Sequence, residues 1–378
     1  MILTNCAACA APLPPVSAKQ CSRCKTRYCG PACQAQHWKE GGHDKVCKKI
    51  KRGGGAEQYY AQNKYAAAVT VAVEKCAEDT KGQTCYICTE ALHWKKNEGL
   101  VRGCACRGTA GFAHVSCLME QPKILVAEGE ENNLDDKAWN ARWDRWQVCG
   151  LCEQQYHGFV ACALGWACWK TYVGRPEGDF ARSAAITELG NELSGVGNHE
   201  NALAVDEARL SMLRRIGASE ENMLVVQGNL AMTYEALGRL GHAILIKRDV
   251  YLGRVKLNGE GNAQTLLAAN NYALSLCKQN AFEEAKLLMQ KCLPAARRLL
   301  GESDETTLRN RLYYAEALYR DDCATLDDLR EAVTTLEGTE QIGRRVFGGA
   351  HPTTVWIGTS LRKSREALRA RETPPTSA

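Results

Sequence analysis

The sequence predicts a multidomain protein in which two small, metal-stabilised cross-brace fingers are followed by an all-α solenoid. Two observations lead to this fold class. Eight close pairs of cysteine and histidine residues precede residue 153, and the second half repeats an Ala/Leu-rich pattern about every 42 residues. Closely spaced Cys and His pairs are typical of tetrahedral metal sites. A repeat of about 42 residues is typical of stacked helical hairpins.

The middle of the chain carries four of these pairs. They are Cys85/Cys88, Cys104/Cys106, His114/Cys117 and Cys149/Cys152. One or two intervening residues let both side chains of a pair reach one zinc ion without strain. In a cross-braced arrangement the first and third pairs share one zinc, and the second and fourth share the other. The segment has few aliphatic residues, so metal binding is expected to replace much of its hydrophobic core.

The N-terminal segment carries the other four pairs. They are Cys6/Cys9, Cys21/Cys24, Cys29/Cys33 and His43/Cys47. The last two pairs each span four residues, so both members lie on one face of a helical turn. His37 is an alternative ligand, but the three-residue gap before Cys47 favours His43. With both fingers complete, we predict four zinc ions per chain.

Composition limits the compartment and the partners. The 378 residues include twenty cysteines and have a formal net charge of +5. The N-terminus lacks a basic start followed by an apolar run, so we expect an intracellular protein, cytoplasmic or nuclear, whose clustered cysteines bind metal rather than form disulfides. The apolar stretch Gly158 to Trp169 is about half the ~20 residues of a spanning helix, so no membrane partner is expected.

The middle pairs lie within the motifs Cys-Tyr-Ile-Cys-Thr-Glu, Cys-Ala-Cys-Arg-Gly-Thr-Ala-Gly-Phe-Ala-His and Val-Ser-Cys-Leu. Residues 85–157 thereby resemble the RING-CH (variant RING) family of ubiquitin ligases. The resemblance implies a finger that is not itself catalytic but holds a ubiquitin-conjugating enzyme through two apolar contacts. The first contact falls on Ile87. The second falls among Trp139, Trp143 and Trp146, of which we assign Trp143 and Trp146; alternatively, these rings pack the core of the finger.

The sequence differs from that family in two places. The interval before Cys149 is long and carries an acidic run, interpreted as a solvated insertion. The run comprises Glu128, Glu130, Glu131, Asp135 and Asp136. The residue after the last ligand is Glu153, where many active ligases of this kind carry a basic residue. Glu153 therefore bears on activity rather than on the fold.

The N-terminal series, with Tyr28-Cys29, Cys33-Gln34 and His37-Trp38 between its ligand pairs, resembles a MYND zinc finger. That resemblance implies a shallow groove for short proline-containing peptides, with Gln34 and Trp38 four residues apart on one helical face. Alternatively, Trp38 packs on the zinc loops. Basic residues are frequent here, but zinc-bound thiolates cancel part of their charge, so a nucleic-acid partner is not expected. The short interval 53–84 leaves no room for a SET methyltransferase domain.

The second half resembles tetratricopeptide repeats of the kinesin-light-chain-like kind across about residues 184–370. The motif at Leu230-Ala231 recurs at Tyr272-Ala273 and Tyr314-Ala315. Such solenoids bind peptides or protein segments in a concave groove. Asparagines on the first helices are candidates to line it: Asn229, Asn270, Asn271 and Asn310. The isolated cysteines are expected to be small core residues: Cys76, Cys162, Cys168, Cys277, Cys292 and Cys323.

These observations predict six segments. They are a MYND finger at 1–52, a connecting helix at 53–80, a RING-CH finger at 81–160, a hinge at 161–180, tetratricopeptide-like repeats at 181–370 and a disordered tail at 371–378. The leading functional hypothesis is a ubiquitin-protein ligase that recruits a conjugating enzyme and binds its substrate through the MYND finger and the repeats. It assigns no catalytic residue, because each Cys/His cluster is used for metal. The competing hypothesis, favoured by Glu153, is a non-enzymatic zinc-stabilised adaptor.

Overall fold

The computed structural model describes residues 6–11, 13 and 18–372. The chain divides into two compact units, Met1–Ala218 and Ser219–Ala378, and each is described by itself. The tail predicted at 371–378 lies outside the described residues from residue 373 onward. Two N-terminal fingers and a mostly helical solenoid confirm the predicted fold class.

The first finger is held together largely by cysteine. Strands β1 (Lys19–Gln20) and β2 (Arg27–Tyr28) pair antiparallel, with Lys19 opposite Tyr28. Helices α1 (Pro31–Lys39) and α2 (His43–Arg52) follow, and α1 begins with a proline, whose fixed φ suits the first turn. The core consists of Cys6, Cys21, Cys24, Tyr28, Cys47, Ile50 and Ala56. Such a core supplies little hydrophobic stabilisation.

The connecting helix α3 (Ala56–Cys76) covers most of the segment predicted for it. It buries Ala61, Tyr65, Val69, Ala72 and Cys76, whose spacing follows one face of a helix. This face packs on α6 (Gly158–Tyr172). The apolar stripe therefore fixes how α3 lies on the rest of the unit.

The second finger contains α4 (Val115–Glu131), α5 (Asp136–Trp143) and a 3-10 turn at Asp144–Trp146. The predicted acidic insertion is the exposed end of α4 and the turn into α5. Asp135 caps α5 by accepting a hydrogen bond from the Ala138 backbone N–H at 2.8 Å. The insertion is therefore solvated and largely helical, and none of its acidic residues belongs to a metal-ligand cluster.

The segment predicted as a hinge, 161–180, is mostly the buried helix α6, which packs against both α3 and α7 (Phe180–Gly195). Its apolar sequence reflects burial on nearly every side. Among the described residues, no helix combines the length and apolarity that crossing a membrane requires. The loop after α6 is also tied down, because the Arg182 guanidinium donates to the carbonyls of Val173 and Arg175, both at 2.6 Å.

Helices α7 and α8 (His199–Arg215) form the first hairpin of the helical half, but they belong to unit 1. One continuous core runs from Ala61 of α3 through Trp146 and Cys149 of the second finger to Met212 of α8. The finger and the first hairpin therefore share buried surface. We infer that they fold as one body.

Glu188 of α7 gives this shared core a pH dependence. Burial, followed by the nearby Glu192 carboxylate, raises its pKa to about 8, and it accepts a hydrogen bond from Gln147 Nε2 at 2.6 Å. Because folding raises this pKa, the folded protein favours the neutral carboxyl of Glu188. The free energy of unfolding is therefore highest at acidic pH and falls as the pH rises toward 8 and the buried carboxyl ionises. We expect Glu188→Gln to raise Tm by several degrees at pH 8.5 and by little at pH 5 in thermal denaturation. Equal shifts at both pH values, or the same shifts in the exposed-site control Glu74→Gln, would contradict this.

Unit 2 consists of seven helices within its described residues: α9 (Glu220–Ala236), α10 (Leu240–Asn258), α11 (Ala263–Lys278), α12 (Phe282–Leu300), α13 (Glu305–Arg320), α14 (Leu326–Phe347) and α15 (Pro352–Glu372). Consecutive helices pack in antiparallel hairpins. The repeated alanines Ala231, Ala273 and Ala315 are fully buried where helices cross. Gly259, Gly301 and Gly348 end the second helices at φ 78°, 89° and 86°, where a side chain would be strained.

In unit 2 the burial of two asparagines and the exposure of one cysteine differ from what the sequence predicted. Asn270 and Asn310 are buried, so neither lines a groove. Asn270 donates to the Thr306 carbonyl at 2.9 Å and joins α11 to α13, whereas Asn310 donates to the same carbonyl at 3.4 Å within its own helix. Cys323 is exposed in the turn between α13 and α14, whereas the other isolated cysteines are buried as expected. Local sequence does not show which helix face a neighbour covers.

Candidate metal centres and an apolar groove

Sixteen predicted ligands converge into four clusters. They are Cys6/Cys9/Cys29/Cys33, Cys21/Cys24/His43/Cys47, Cys85/Cys88/His114/Cys117 and Cys104/Cys106/Cys149/Cys152. Within each cluster the ligand atoms lie within 4.8 Å of one another. Each cluster combines one pair with the pair after next along the chain, which is a cross-braced arrangement. One thiolate-rich tetrahedral set per cluster is compatible with zinc.

Each of the four Cys-x2-Cys pairs forms the same type of backbone turn. The residue after the second cysteine has a positive φ in every case: Ala10 57°, Lys25 63°, Thr89 63° and Glu153 56°. In each turn the N–H of that residue donates to the carbonyl of the first cysteine at 2.8–3.0 Å. The turn aims both sulfurs at one point, and in the second finger it also directs the N–H groups of Ile87 and Leu151 at a cysteine sulfur, at 3.4 Å each. These donors favour the thiolate form.

The two helices of the first finger supply its other ligand pairs. Cys29 precedes α1, and its Sγ lies 3.3 Å from the Sγ of Cys33 on the first turn of α1. His43 and Cys47 lie on one face of α2. His43 Nε2 lies 3.3 Å from Cys24 Sγ, and the histidine is 1% exposed. His37 instead pairs through Nδ1 with the Tyr28 hydroxyl at 3.1 Å. The structure therefore places His43, and not His37, in the second cluster.

In the third cluster the surroundings of His114 favour one tautomer. Its Nδ1 lies 3.3 Å from Cys88 Sγ and 3.6 Å from Cys117 Sγ, whereas Nε2 faces the Ala91 carbonyl at 3.4 Å. A ring that donates from Nε2 to this carbonyl leaves a lone pair on Nδ1 for a metal.

Gly111 is required where the backbone passes the fourth cluster. Its φ is 83°, and a Cβ atom at this position would lie 2.6 Å from Cys106 Cβ and 3.1–3.2 Å from the sulfurs of Cys106 and Cys104. No larger residue fits without displacing these sulfurs.

The thiols of one cluster do not all ionise easily. In the first cluster, although desolvation by burial opposes ionisation, backbone N–H groups of Cys29 and Cys9 lower the pKa of Cys6 to about 6. A hydrogen bond with Cys29 raises the pKa of Cys33 to about 12. Like charges at this separation oppose one another, so four thiolates need a compensating cation. A divalent metal ion bound in the cluster would supply that charge.

The predicted contacts for a conjugating enzyme separate into two environments. Ile87 is 44% exposed at the tip of the first ligand loop. Trp143 and Trp146 are 6% and 1% exposed and pack on Tyr172 of α6, with ring centroids 5.3 and 6.0 Å apart. Both tryptophans therefore belong to the core, because α6 covers the face on which they lie, and neither is available to a partner.

An apolar groove that the sequence interpretation missed lies beside Ile87. It measures about 420 Å³, and its apolar walls include Ile124 of α4 and Leu151, which are 56% and 51% exposed. Leu151 has the same place in Cys149–Cys152 that Ile87 has in Cys85–Cys88. This equivalent position in the two ligand loops could have identified Leu151 from the sequence as a second wall of the groove. Ile124 could not have been identified in this way, because its place in the groove depends on how α4 is oriented.

The proposed peptide-binding residues of the first finger remain accessible. Trp38 is 40% exposed, and its ring meets the edge of His43 at a centroid distance of 5.7 Å. Gln34 lies one turn earlier on α1 and is half-buried. In unit 2, Asn229 and Asn271 line a groove of about 180 Å³ together with Leu224, Leu267 and Arg254.

The fold and the four clusters define a protein with two metal-binding fingers followed by a helical-repeat solenoid. Comparison with family models identifies the parts. Residues 6–47 match the MYND finger, residues 85–127 the RING-variant domain, and residues 265–305 a tetratricopeptide repeat. The chain therefore carries all three modules that its sequence motifs resembled.

Among curated proteins, the comparison found no significant match. Among solved structures, the crystal structure of BtubC (BKLC) from P. vanneervenii is 15% identical, covers 70% of this chain and 96% of that chain, and has a TM-score of 0.42. The kinesin light chain TPR-like repeats of Podosopora anserina are 18% identical, with 62% and 98% coverage and a TM-score of 0.41.

Proposed function

We propose that this protein is a zinc-dependent ubiquitin-protein ligase. Its RING-variant finger binds a ubiquitin-conjugating enzyme, and its MYND finger and repeats bind partner or substrate proteins. The observation that carries the proposal is the apolar groove of Ile87, Ile124 and Leu151. A contiguous exposed apolar patch of this kind indicates a protein-binding surface.

The ligand loops make this groove a rigid docking surface. Ile87 and Leu151 each precede a cluster cysteine, and Ile124 lies on α4, which begins directly after His114. Bound metal would hold both loops at a fixed separation from the helix. Pre-organisation of this kind lowers the entropic cost of binding a partner.

Catalysis in this proposal requires no side chain of the finger to react. The finger supplies position: it would hold the loaded conjugating enzyme beside a substrate that the other modules bind. The cluster cysteines are needed for metal and are not free nucleophiles.

The test is an autoubiquitination assay with a panel of conjugating enzymes. We expect Ile87→Ala to lower product formation about tenfold, because truncating a central apolar contact typically costs about 1–2 kcal/mol of binding. The matched control is Leu287→Ala on α12, which removes a similarly exposed side chain, 56% against 44%, from the repeats. Unchanged metal content in both variants would show that the fingers remain folded.

A non-enzymatic adaptor is the second candidate, and exposed Glu153 favours it. An acidic side chain beside the last ligand would repel any acidic group that an approaching ubiquitin-loaded enzyme presents there. If the parent and Glu153→Arg both form no product with any conjugating enzyme, the ligase proposal falls and the adaptor stands. If only the Glu153→Arg variant forms product, the groove can bind a conjugating enzyme and Glu153 lowers the ligase activity of the parent.

We further propose that the MYND finger binds a proline-containing peptide through Trp38 and Gln34. The exposed tryptophan ring offers a flat apolar surface for proline, and the amide of Gln34 can pair with a peptide backbone. Titrating proline-rich peptides against the full chain should show at least tenfold weaker binding for Trp38→Ala, with metal content unchanged because Trp38 supplies no ligand.

Cys29→Ser provides the contrast, since it should lose both peptide binding and metal. If Trp38→Ala itself releases metal, the ring supports His43 structurally, and the peptide-binding role of Trp38 falls.

A further inference from the structure

Unit 1 contains a large groove that neither the metal centres nor the proposed ligase surface uses. It measures about 500 Å³ and is bordered by α3, α6 and the turn from α7 to α8. Helix α6 packs against both α3 and α7, and it forms the floor between them. The result is a trough between helices that is open on one side.

The floor of this trough and the part of the far wall nearest α7 are apolar. Helix α6 contributes Phe159, which is 43% exposed, and the indole of Trp166. Leu193 comes from the end of α7, and Val196 directly follows that helix. Trp166 and Leu193 are otherwise almost fully buried, at 6% and 1% exposure. The trough therefore opens directly onto the hydrophobic core of unit 1.

The near wall is a stripe along α3. Lys64, Ala67, Ala68 and Val71 line the groove at spacings of three and four residues, which is one face of the helix. Lys75, one turn beyond Val71 on the same face, places its Nζ 5.6 Å from the ring centroid of Phe159. The side chains in the middle of the stripe are therefore small and apolar, and a lysine lies at each end. Its length is about 16 Å at 1.5 Å per residue.

This pattern identifies the kind of occupant. Small side chains at the centre of a helix face allow another helix to approach closely. The residues that line the groove include one lysine and two asparagines but no carboxylate. A partner with apolar side chains between two carboxylates would complement this wall in shape and in charge.

We propose that this trough is a docking site for an amphipathic helix of a partner protein, with carboxylates about three turns apart that pair with Lys64 and Lys75. The apolar ridge of that helix lies over Phe159, Trp166 and Val71, and it completes a helical layer with α3 and α7. Helix-in-groove binding of this kind uses apolar anchors at i, i+3, i+4 and i+7.

Three synthetic peptides test the proposal on the full chain with its metal bound. All carry the same leucine ridge at helical spacing; one has glutamates flanking the ridge eleven residues apart, one has lysines there, and one has the ridge leucines replaced by asparagine. By fluorescence anisotropy, we expect the glutamate peptide to bind at least tenfold more tightly than either of the others.

Matched variants locate the binding. Ala67→Arg fills the trough and should abolish binding, whereas Ala66→Arg, exposed on α3 but absent from the lining, should leave it unchanged. The charge-reversed pair Lys64→Glu with Lys75→Glu should reverse the preference to the lysine peptide. A change in tryptophan fluorescence on binding should disappear in Trp166→Phe.

Several outcomes would overturn the proposal. They are equal binding of the glutamate and lysine peptides, no binding of either, and equal losses in Ala66→Arg and Ala67→Arg. Tight binding of oleate that Ala67→Arg prevents would assign the trough to a lipid chain instead. Concentration-dependent self-association in analytical ultracentrifugation that Ala67→Arg prevents would assign it to a second copy of the chain.

Discussion

Removing the metal with a chelator is expected to unfold both fingers and to loosen α6, α7 and α8, while α9 to α15 remain folded. Structural zinc sites contribute on the order of 10–16 kcal/mol in small fingers, which exceeds the stability of most small domains. The first finger has a core made mostly of its own ligand cysteines, so little apolar packing would hold it together without the metal. Unit 2 has a separate core of buried apolar residues that contains no cluster.

The behaviour of α6 to α8 is the informative part of this experiment. Their buried side chains share one core with Cys85, Cys104, Cys117 and Cys149. Releasing these cysteines removes packing from Trp146 and Tyr156, which share a core with α6. Helix α6 in turn packs on α7 of the first hairpin. We therefore expect the hairpin to lose amide protection although it carries no ligand.

Hydrogen exchange measured by segment, before and after chelation, checks this result. Protection should vanish in residues 18–52 and 85–157, fall in 158–215 and persist in 263–347. Full protection of 158–215 after chelation would show that the hairpin is independent of the finger. Loss of protection across 263–347 would contradict the separation into two units.

The second large effect concerns Gly111. We expect Gly111→Ala to lose the metal of the fourth cluster, because the added Cβ would lie 2.6 Å from Cys106 Cβ and close to two ligand sulfurs. These atoms cannot move aside without leaving the tetrahedral arrangement. Metal analysis should fall from about four ions per chain, the number we propose for four clusters, to about three.

Gly108 provides a matched control on the same loop. It also has a positive φ, 61°, but a Cβ atom there would meet nothing within 4 Å. Gly108→Ala should therefore cost only the backbone strain of about 1–2 kcal/mol and keep its metal. If the two variants lose equal amounts of metal, the close approach at Gly111 is not the cause.

The ligand pairs could be read from the sequence because each pair is local. Two ligands separated by one to three residues are brought together by a single turn. The turn formed by Cys85-Tyr-Ile-Cys88 has the same geometry as the turn formed by Cys149-Gly-Leu-Cys152. The helical repeats were predictable for the same reason. Ala231, Ala273 and Ala315 recur at equal spacing because each hairpin repeats the same local packing.

Accessibility was not predictable in this way, since it depends on distant parts of the chain. Trp143 and Trp146 have the spacing of an exposed contact face, yet α6 covers them. Ile124 has no distinguishing neighbours in sequence, yet α4 turns it toward Ile87 and Leu151.

The sequence by itself therefore determined the three modules, their order and the pairing of metal ligands, because these depend on spacing along a few turns of chain. Only the tertiary structure decided that residues 158–172 are a buried helix rather than part of a hinge, and that the second finger shares its core with the first helical hairpin. An apolar segment such as α6 is compatible with several environments. The surfaces of α3 and α7 that pack on either side of it determine which one it occupies.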